Sequence, residues 1–245
     1  MPKIYLSPST QEGNPYITGG NEEQYMNLIA DAMEPYLRSC GIQFRRNTPN
    51  MSAADCIRQA NAGQYDFYLA LHSNAAPDSL SGQIRGTDVY YYPTSIPGRR
   101  MAEIIVSHFM TIYPLPGKVR SVPTRDIGEV AKTRAPAVLV EIAYHDNTQD
   151  ANWIKNNIST IARTLVVSLC EYFGIPFVPA QPAREGVVSL SSGSLNIRSR
   201  PSLSSSVLTR AYNGARITVL GQWEDWYVVS YNGYTGYAAS RYIRV

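Results

Sequence analysis

The first ~175 residues switch between two hydrophobic rhythms. From Glu22 to Cys40, the side chains Met26, Ile29, Met33, Leu37 and Cys40 recur at helical spacing, which predicts an amphipathic helix. Gly41 follows where a helix is commonly capped. Ser52–Ala62, with Ser52 as the capping residue, a stretch within Pro97–Tyr113, and Asp150–Phe173 carry the same rhythm, the last with a break near Asn156-Asn157. Tyr65–His72 and Ala137–Tyr144 are instead short unbroken apolar runs, the pattern of strands covered on both faces. Lys3–Leu6, Ile42–Arg46 and Thr87–Tyr92 read as further strands. Strands alternating with helices predict an α/β domain, a twisted sheet flanked by helices.

After Phe173 the rhythm stops. Residues 175–186 hold Pro176, Pro179 and Pro182 without periodicity and read as a semi-extended linker. Residues 187–245 then show short alternating runs broken by Asn213-Gly214 and Asn232-Gly233, strong hairpin signals. The expected organisation is a catalytic-type domain over 1–174, the linker, and a small all-β barrel or sandwich over 187–245.

Composition narrows the function classes. The chain of 245 residues is 44% apolar, enough for a sizeable core, and carries a net charge of +3. The charges are dispersed, so no basic stripe of the kind nucleic acid requires is present. A mildly basic surface suits an anionic polymer. Cys40, Cys56 and Cys170 fall in apolar helical contexts and are expected as buried free thiols, which suits folding in a reducing compartment. No apolar run is long enough to cross a bilayer, so no membrane insertion is expected, and Met1–Leu6 runs directly into a strand without the pattern of a secretory signal.

The candidate chemistry sits at element ends. His72 closes an apolar run and therefore points into the crevice where α/β sheets bind ligands. Glu141 follows the run Ala-Val-Leu-Val, and Glu23 opens the first helix. One imidazole with separated carboxylates suits metal-assisted hydrolysis; it also suits a satisfied core histidine beside solvated glutamates. Helical phase puts Glu22 on the face of Met26, Ile29 and Met33, with Glu23 a step round. Strand alternation turns His145 the same way as Glu141, toward the same site; the other reading of His145 is a loop histidine bonded to a carbonyl. His108 lies among apolar neighbours and reads as a packing residue.

Four segments in order resemble the zinc-dependent N-acetylmuramoyl-L-alanine amidases of the amidase-3 family. Glu23-Gln-Tyr-Met-Asn27-Leu28 resembles its Glu-x-x-x-Asn-Leu, and Leu71-His72-Ser73-Asn74 its apolar-His-x-Asn. Gly86–Tyr92 is similar to the strand that follows, and Ala135–Asn147 to the closing segment with the catalytic Glu. The tail resembles a bacterial SH3-type domain through Leu195-Asn-Ile-Arg-Ser-Arg-Pro201-Ser202 and Trp226–Tyr237. The resemblance implies a mixed sheet flanked by helices followed by an SH3-type barrel. It also implies Zn2+ held through His72 Nδ1 or Nε2 and Glu23, Glu141 as general base, and Asn74 on the substrate side, where strand alternation adds His145. The bond cut would be the amide between N-acetylmuramic acid and L-alanine, with peptidoglycan as partner and the chain a monomer. Such a protein acts at the cell wall. It would be cytoplasmic before release, as an endolysin is, or exported by a route the sequence does not reveal.

One departure matters. The family's first zinc ligand is a His in Asp-Pro-Gly-His; here the segment is Ser7-Pro8-Ser9-Thr10-Gln11. Thr10 takes the ligand position and is a poor donor, so Gln11 is the expected third ligand, with Glu12 or a water as alternatives. The missing His also admits a second reading, a degenerate amidase domain that binds peptidoglycan without cutting it.

Overall fold

The computed structural model describes residues 1–245. The chain forms two compact units: Lys3–Met33 with Phe44–Tyr172, and Met1–Pro2 with Glu34–Gln43 and Phe173–Val245.

The first unit is built on a six-stranded sheet. In chain order its strands are β1 (Lys3–Pro8), β2 (Gln43–Arg46), β3 (Phe67–Asn74), β4 (Thr87–Tyr91), β5 (Val119–Pro123) and β6 (Ala137–Tyr144). The spatial order is β2-β1-β3-β6-β4-β5. β1, β3 and β6 run parallel, whereas β4 is antiparallel to β6 and parallel to β5, so the sheet is mixed as expected. The central strands read as continuous apolar runs because both faces are covered: Phe67–Leu71 and Val138, Val140 and Ile142 have no more than 3% exposure.

The helices are α1 (Glu22–Ser39), α2 (Ala53–Ala62), α3 (Ile96–Phe109), α4 (Gly128–Ala131), α5 (Thr148–Asn156) and α6 (Ile158–Phe173). Asn21 starts α1 by accepting the Gln24 amide at 2.8 Å, and Gly41 closes it at φ +73°. Ser52 caps α2 in a reciprocal box with Asp55. The helix expected over Asp150–Phe173 is two helices split at Asn157, whose side chain bonds back to the Trp153 carbonyl. On one face of the sheet, Tyr5, Tyr68, Ala70, Ala137 and Leu139 pack with Cys56 and Ala60 of α2 and Val130 of α4. All three cysteines are buried and free. His108 ties α3 to α6 through Ser168 at 2.9 Å and Glu171 at 2.9 Å.

The second unit carries β7 (Arg184–Val188), β8 (Ser194–Arg198), β9 (Val207–Tyr212), β10 (Arg216–Trp223), β11 (Trp226–Tyr231), β12 (Tyr234–Ala239) and β13 (Ile243–Arg244) in an antiparallel sheet. Its core includes Leu195, Ile197, Ile217, Val219, Val229 and Ile243. Asn232 and Gly233, both at positive φ, close the β11–β12 hairpin. β7 opens at Arg184, so the last residues of the stretch expected as linker are in fact strand, zipped to β10.

Candidate active site

β1, β3 and β6 end side by side, and the crevice beyond their carboxyl ends collects the polar residues. His72 and Glu141 are register partners on β3 and β6, so their side chains leave the same face of the sheet. A cleft of about 570 Å³ opens there, lined by Thr10, Gln11, Cys56, His72, Glu129 and Glu141, among others.

His72 is buried and held at both ring nitrogens by carboxylates. Nδ1 lies 2.9 Å from Glu22 Oε1 and Nε2 lies 3.0 Å from Glu129 Oε2. Both carboxylates are themselves anchored. Glu22 Oε2 accepts from Asn14 Nδ2 at 2.6 Å, and its Oε1 faces the Ser73 amide at 3.4 Å. Glu129 Oε1 accepts from Ser7 Oγ at 2.8 Å and from the Tyr68 hydroxyl at 2.5 Å. Burial works against ionising either carboxyl, but the hydrogen bond and charge of His72 outweigh it and hold both below the usual carboxylate range. Burial likewise works against a charged imidazole, and the two carboxylates override it, raising His72 well above its ordinary value in the metal-free protein.

Glu141 is in the opposite state. Its Oε2 is sealed from solvent and has no hydrogen-bond partner. Burial raises its pKa to about 7; the nearby His72 charge pulls it down, while Glu22, Asp88 and Glu129 push it further up. A carboxyl that exchanges a proton near neutral pH inside a cleft has the property a general base needs.

The other expected site residues distribute as follows. Gln11 lies at the site, with Nε2 3.3 Å from His72 Nδ1 and Oε1 3.1 Å from Asn14 Nδ2. Glu23 does not reach His72; burial, and then the neighbouring Glu12, raise its pKa, and Glu22 takes the inward position instead. The reason is helical phase: Glu22 shares the buried face of Met26, Ile29 and Met33. Asn74 turns its Oδ1 to the Ala75 amide at 2.9 Å and does not line the cleft. His145 does not line it either; its buried ring stacks on Tyr16 and donates Nδ1–H to the Ser73 carbonyl at 2.8 Å. Strand alternation fails for His145 because β6 ends at Tyr144. Glu129 was not anticipated from sequence, since α4 is one turn long and has no periodicity to display.

No three His, Cys, Asp or Glu side chains converge on one point to hold a metal. The two carboxylates lie off opposite nitrogens of one ring, so only one of them can share an ion with His72. At Nδ1, however, Glu22 Oε1 and the Gln11 amide meet the imidazole. Gln11 presents its Nε2 there and its Oε1 to Asn14; with that amide turned over, one imidazole, one carboxylate and one amide oxygen fit a divalent cation with two strong ligands and one weak one. The other ring nitrogen of His72 is already held by a carboxylate, as in most metal-binding histidines.

The family model described as N-acetylmuramoyl-L-alanine amidase matches residues 8–170, and that of the bacterial SH3 domain matches residues 193–244. N-acetylmuramoyl-L-alanine amidase LytC of Bacillus subtilis (strain 168) is 28% identical over 162 residues, covering 63% of this chain and 32% of that protein. The chain thus spans about a third of the length of that relative. Among solved structures, the catalytic domain of CwlV from Bacillus (Paenibacillus) polymyxa var. colistinus aligns with a TM-score of 0.62 at 16% identity, over 72% of this chain and 100% of that one. The catalytic domain of the CD27L endolysin targeting Clostridia difficile aligns with a TM-score of 0.57 at 22% identity, over 70% and 98%. AmiC2 of Nostoc punctiforme gives 0.61 at 16%, over 70% and 97%. These likenesses concern the fold.

Proposed function

Because the chain belongs to the N-acetylmuramoyl-L-alanine amidase family, we propose that it is a peptidoglycan hydrolase that cuts the amide between N-acetylmuramic acid and L-alanine. The observation that carries this reading is the buried, unpartnered Glu141 Oε2, in register with His72 at the ends of parallel strands. Glu22, His72 Nδ1 and Gln11 would hold zinc, the family's usual metal. Zinc there would supply Lewis acidity, polarising the scissile carbonyl and making a water easier to deprotonate. Glu141 takes the proton from that water and delivers it to the departing amine nitrogen. The water oxygen adds to the carbonyl carbon and the C–N bond breaks, leaving a lactyl carboxylate and the free α-amino group of L-alanine. Thr10, which lines the cleft, would border the incoming substrate. The second unit would retain the enzyme on the wall through a cleft of about 330 Å³ that includes Trp226, Tyr242, Leu203 and Arg198.

The test is hydrolysis of purified walls by the full chain, with chelator and after zinc is restored. New N-terminal alanine that disappears with chelator and returns with zinc supports the reading. Thr10 in place of the family's histidine favours the second reading, a wall binder that does not cut. Walls that bind the protein yet release no N-terminal alanine at any zinc concentration would establish that one.

A further inference from the structure

Glu129 is the one member of the charged cluster for which the chemistry above has no use. We infer that it is a positioning residue that fixes how His72 presents itself to a metal; this rests on the zinc reading of the same site. The argument is geometric. An imidazole has two nitrogens on opposite edges, and when one binds a metal the other carries a proton that needs an acceptor. Glu22 and Gln11 are gathered at Nδ1, and Glu129 Oε2 stands alone at Nε2, 3.0 Å away. The Nε2 proton is therefore held by Glu129, and the lone pair is confined to the edge where the other donors lie.

The acceptor is built in rather than incidental. Glu129 Oε1 receives both Ser7 Oγ from β1 and the Tyr68 hydroxyl from β3, so its second oxygen is aimed at the ring by two neighbouring strands. The residue is only 5% exposed. Burying a carboxylate is unfavourable, and a position serving packing alone is better filled by an apolar side chain. The carboxylate also strengthens Nδ1 as a donor. That matters in a site where Thr10 supplies no second imidazole: the single histidine must bind well, and Glu129 is what holds it.

The test measures zinc affinity of the full chain by competition with a chromophoric chelator, alongside the absorption spectrum of the cobalt-loaded protein. Glu129→Gln is expected to weaken zinc binding by about 10–100-fold, the range seen when such partners are removed, and to change the cobalt spectrum. A purely structural role would lower the melting temperature of the metal-free protein and leave affinity and spectrum alone; that outcome overturns the inference. Should Glu129→Gln fail to fold, the pair Ser7→Ala with Tyr68→Phe frees the carboxylate without removing it, and unchanged affinity there overturns the inference equally. Tight zinc binding by the wild type but equal binding by Glu129→Gln defeats this inference and leaves the zinc reading standing. No zinc binding by the wild type defeats both.

Discussion

Replacing Glu141 by Gln should make the metal-free protein more stable at alkaline pH while destroying its activity. The carboxyl sits at about 7 in the folded chain against 4.5 when unperturbed, chiefly because burial disfavours the charged form. An acid whose folded value is raised binds its proton more tightly when folded. Its effect on stability is therefore nil below about 4.5, becomes unfavourable as pH climbs, and is complete above about 7. The difference of about 2.5 pH units, at about 1.4 kcal/mol each, is about 3.5 kcal/mol. The substituted amide would carry no charge to bury, and Glu141 Oε2 has no hydrogen bond to forfeit. For a unit of this size, 2–4 °C per kcal/mol translates this into a rise in Tm of roughly 7–14 °C at pH 8. The assay is thermal unfolding of chelator-treated wild type and Glu141→Gln at pH 4.5 and pH 8. A variant no more stable than wild type at pH 8, or one with the same advantage at both pH values, would refute the electrostatic account. Hydrolysis by the zinc-loaded variant should fall by at least about 10²-fold, the contribution typical of a general base, with wall binding retained.

Three further outcomes are expected. Glu22→Gln should release zinc and abolish hydrolysis, whereas Glu23→Gln should keep both within a few-fold; metal content after dialysis separates them, and the reverse pattern would restore Glu23 as the ligand. Arg85→Ala should cost about 3 kcal/mol in urea unfolding, because it strips Asp150, fully buried, of its only cation while the Tyr113 hydroxyl and the Gly86 and Tyr144 amides remain. Ser52→Ala should cost about 1 kcal/mol by the same measurement through loss of the α2 cap.

What the sequence displays and what it hides follow from element length. β3 and β6 are long enough, and buried enough on both faces, to appear as apolar runs, so the strands bearing His72 and Glu141 are visible within two residues. β5 is not: it is an edge strand whose residues Arg120 and Pro123 face solvent, and it shows neither an apolar run nor a clean alternation. The turn between β10 and β11 is hidden for another reason. Its left-handed residue is Glu224, at φ +49°, rather than the Asn-Gly pair that marks the β11–β12 hairpin, and the Asn213-Gly214 signal joins β9 to β10, which do not pair and so form no hairpin.

The cluster around His72 shows the same division at the scale of single side chains. Glu22 and Glu23 are adjacent carboxylates at the start of one helix, and motif spacing, counted back from Asn27, selects Glu23. Helical phase selects Glu22, and phase wins because the face of α1 is fixed by Met26, Ile29 and Met33, all fully buried. Asn27 confirms the geometry by facing elsewhere: its amide donates to the Ser9 carbonyl and its Oδ1 accepts from Arg46 at 2.6 Å, tying α1 to the end of β1 without touching His72. A motif residue thus anchors the loop that carries Thr10 and Gln11, and the carboxylate of Glu22 is the one that faces His72. Glu129 lies beyond both kinds of inference. Its turn of helix is too short to have a phase, and its partners Ser7, Tyr68 and His72 come from strands that meet only once the sheet has formed. A buried carboxylate at that point is decipherable only through its distances, and zinc affinity should fall there on a change of one oxygen for one nitrogen even though Glu22, not Glu129, would bind the ion.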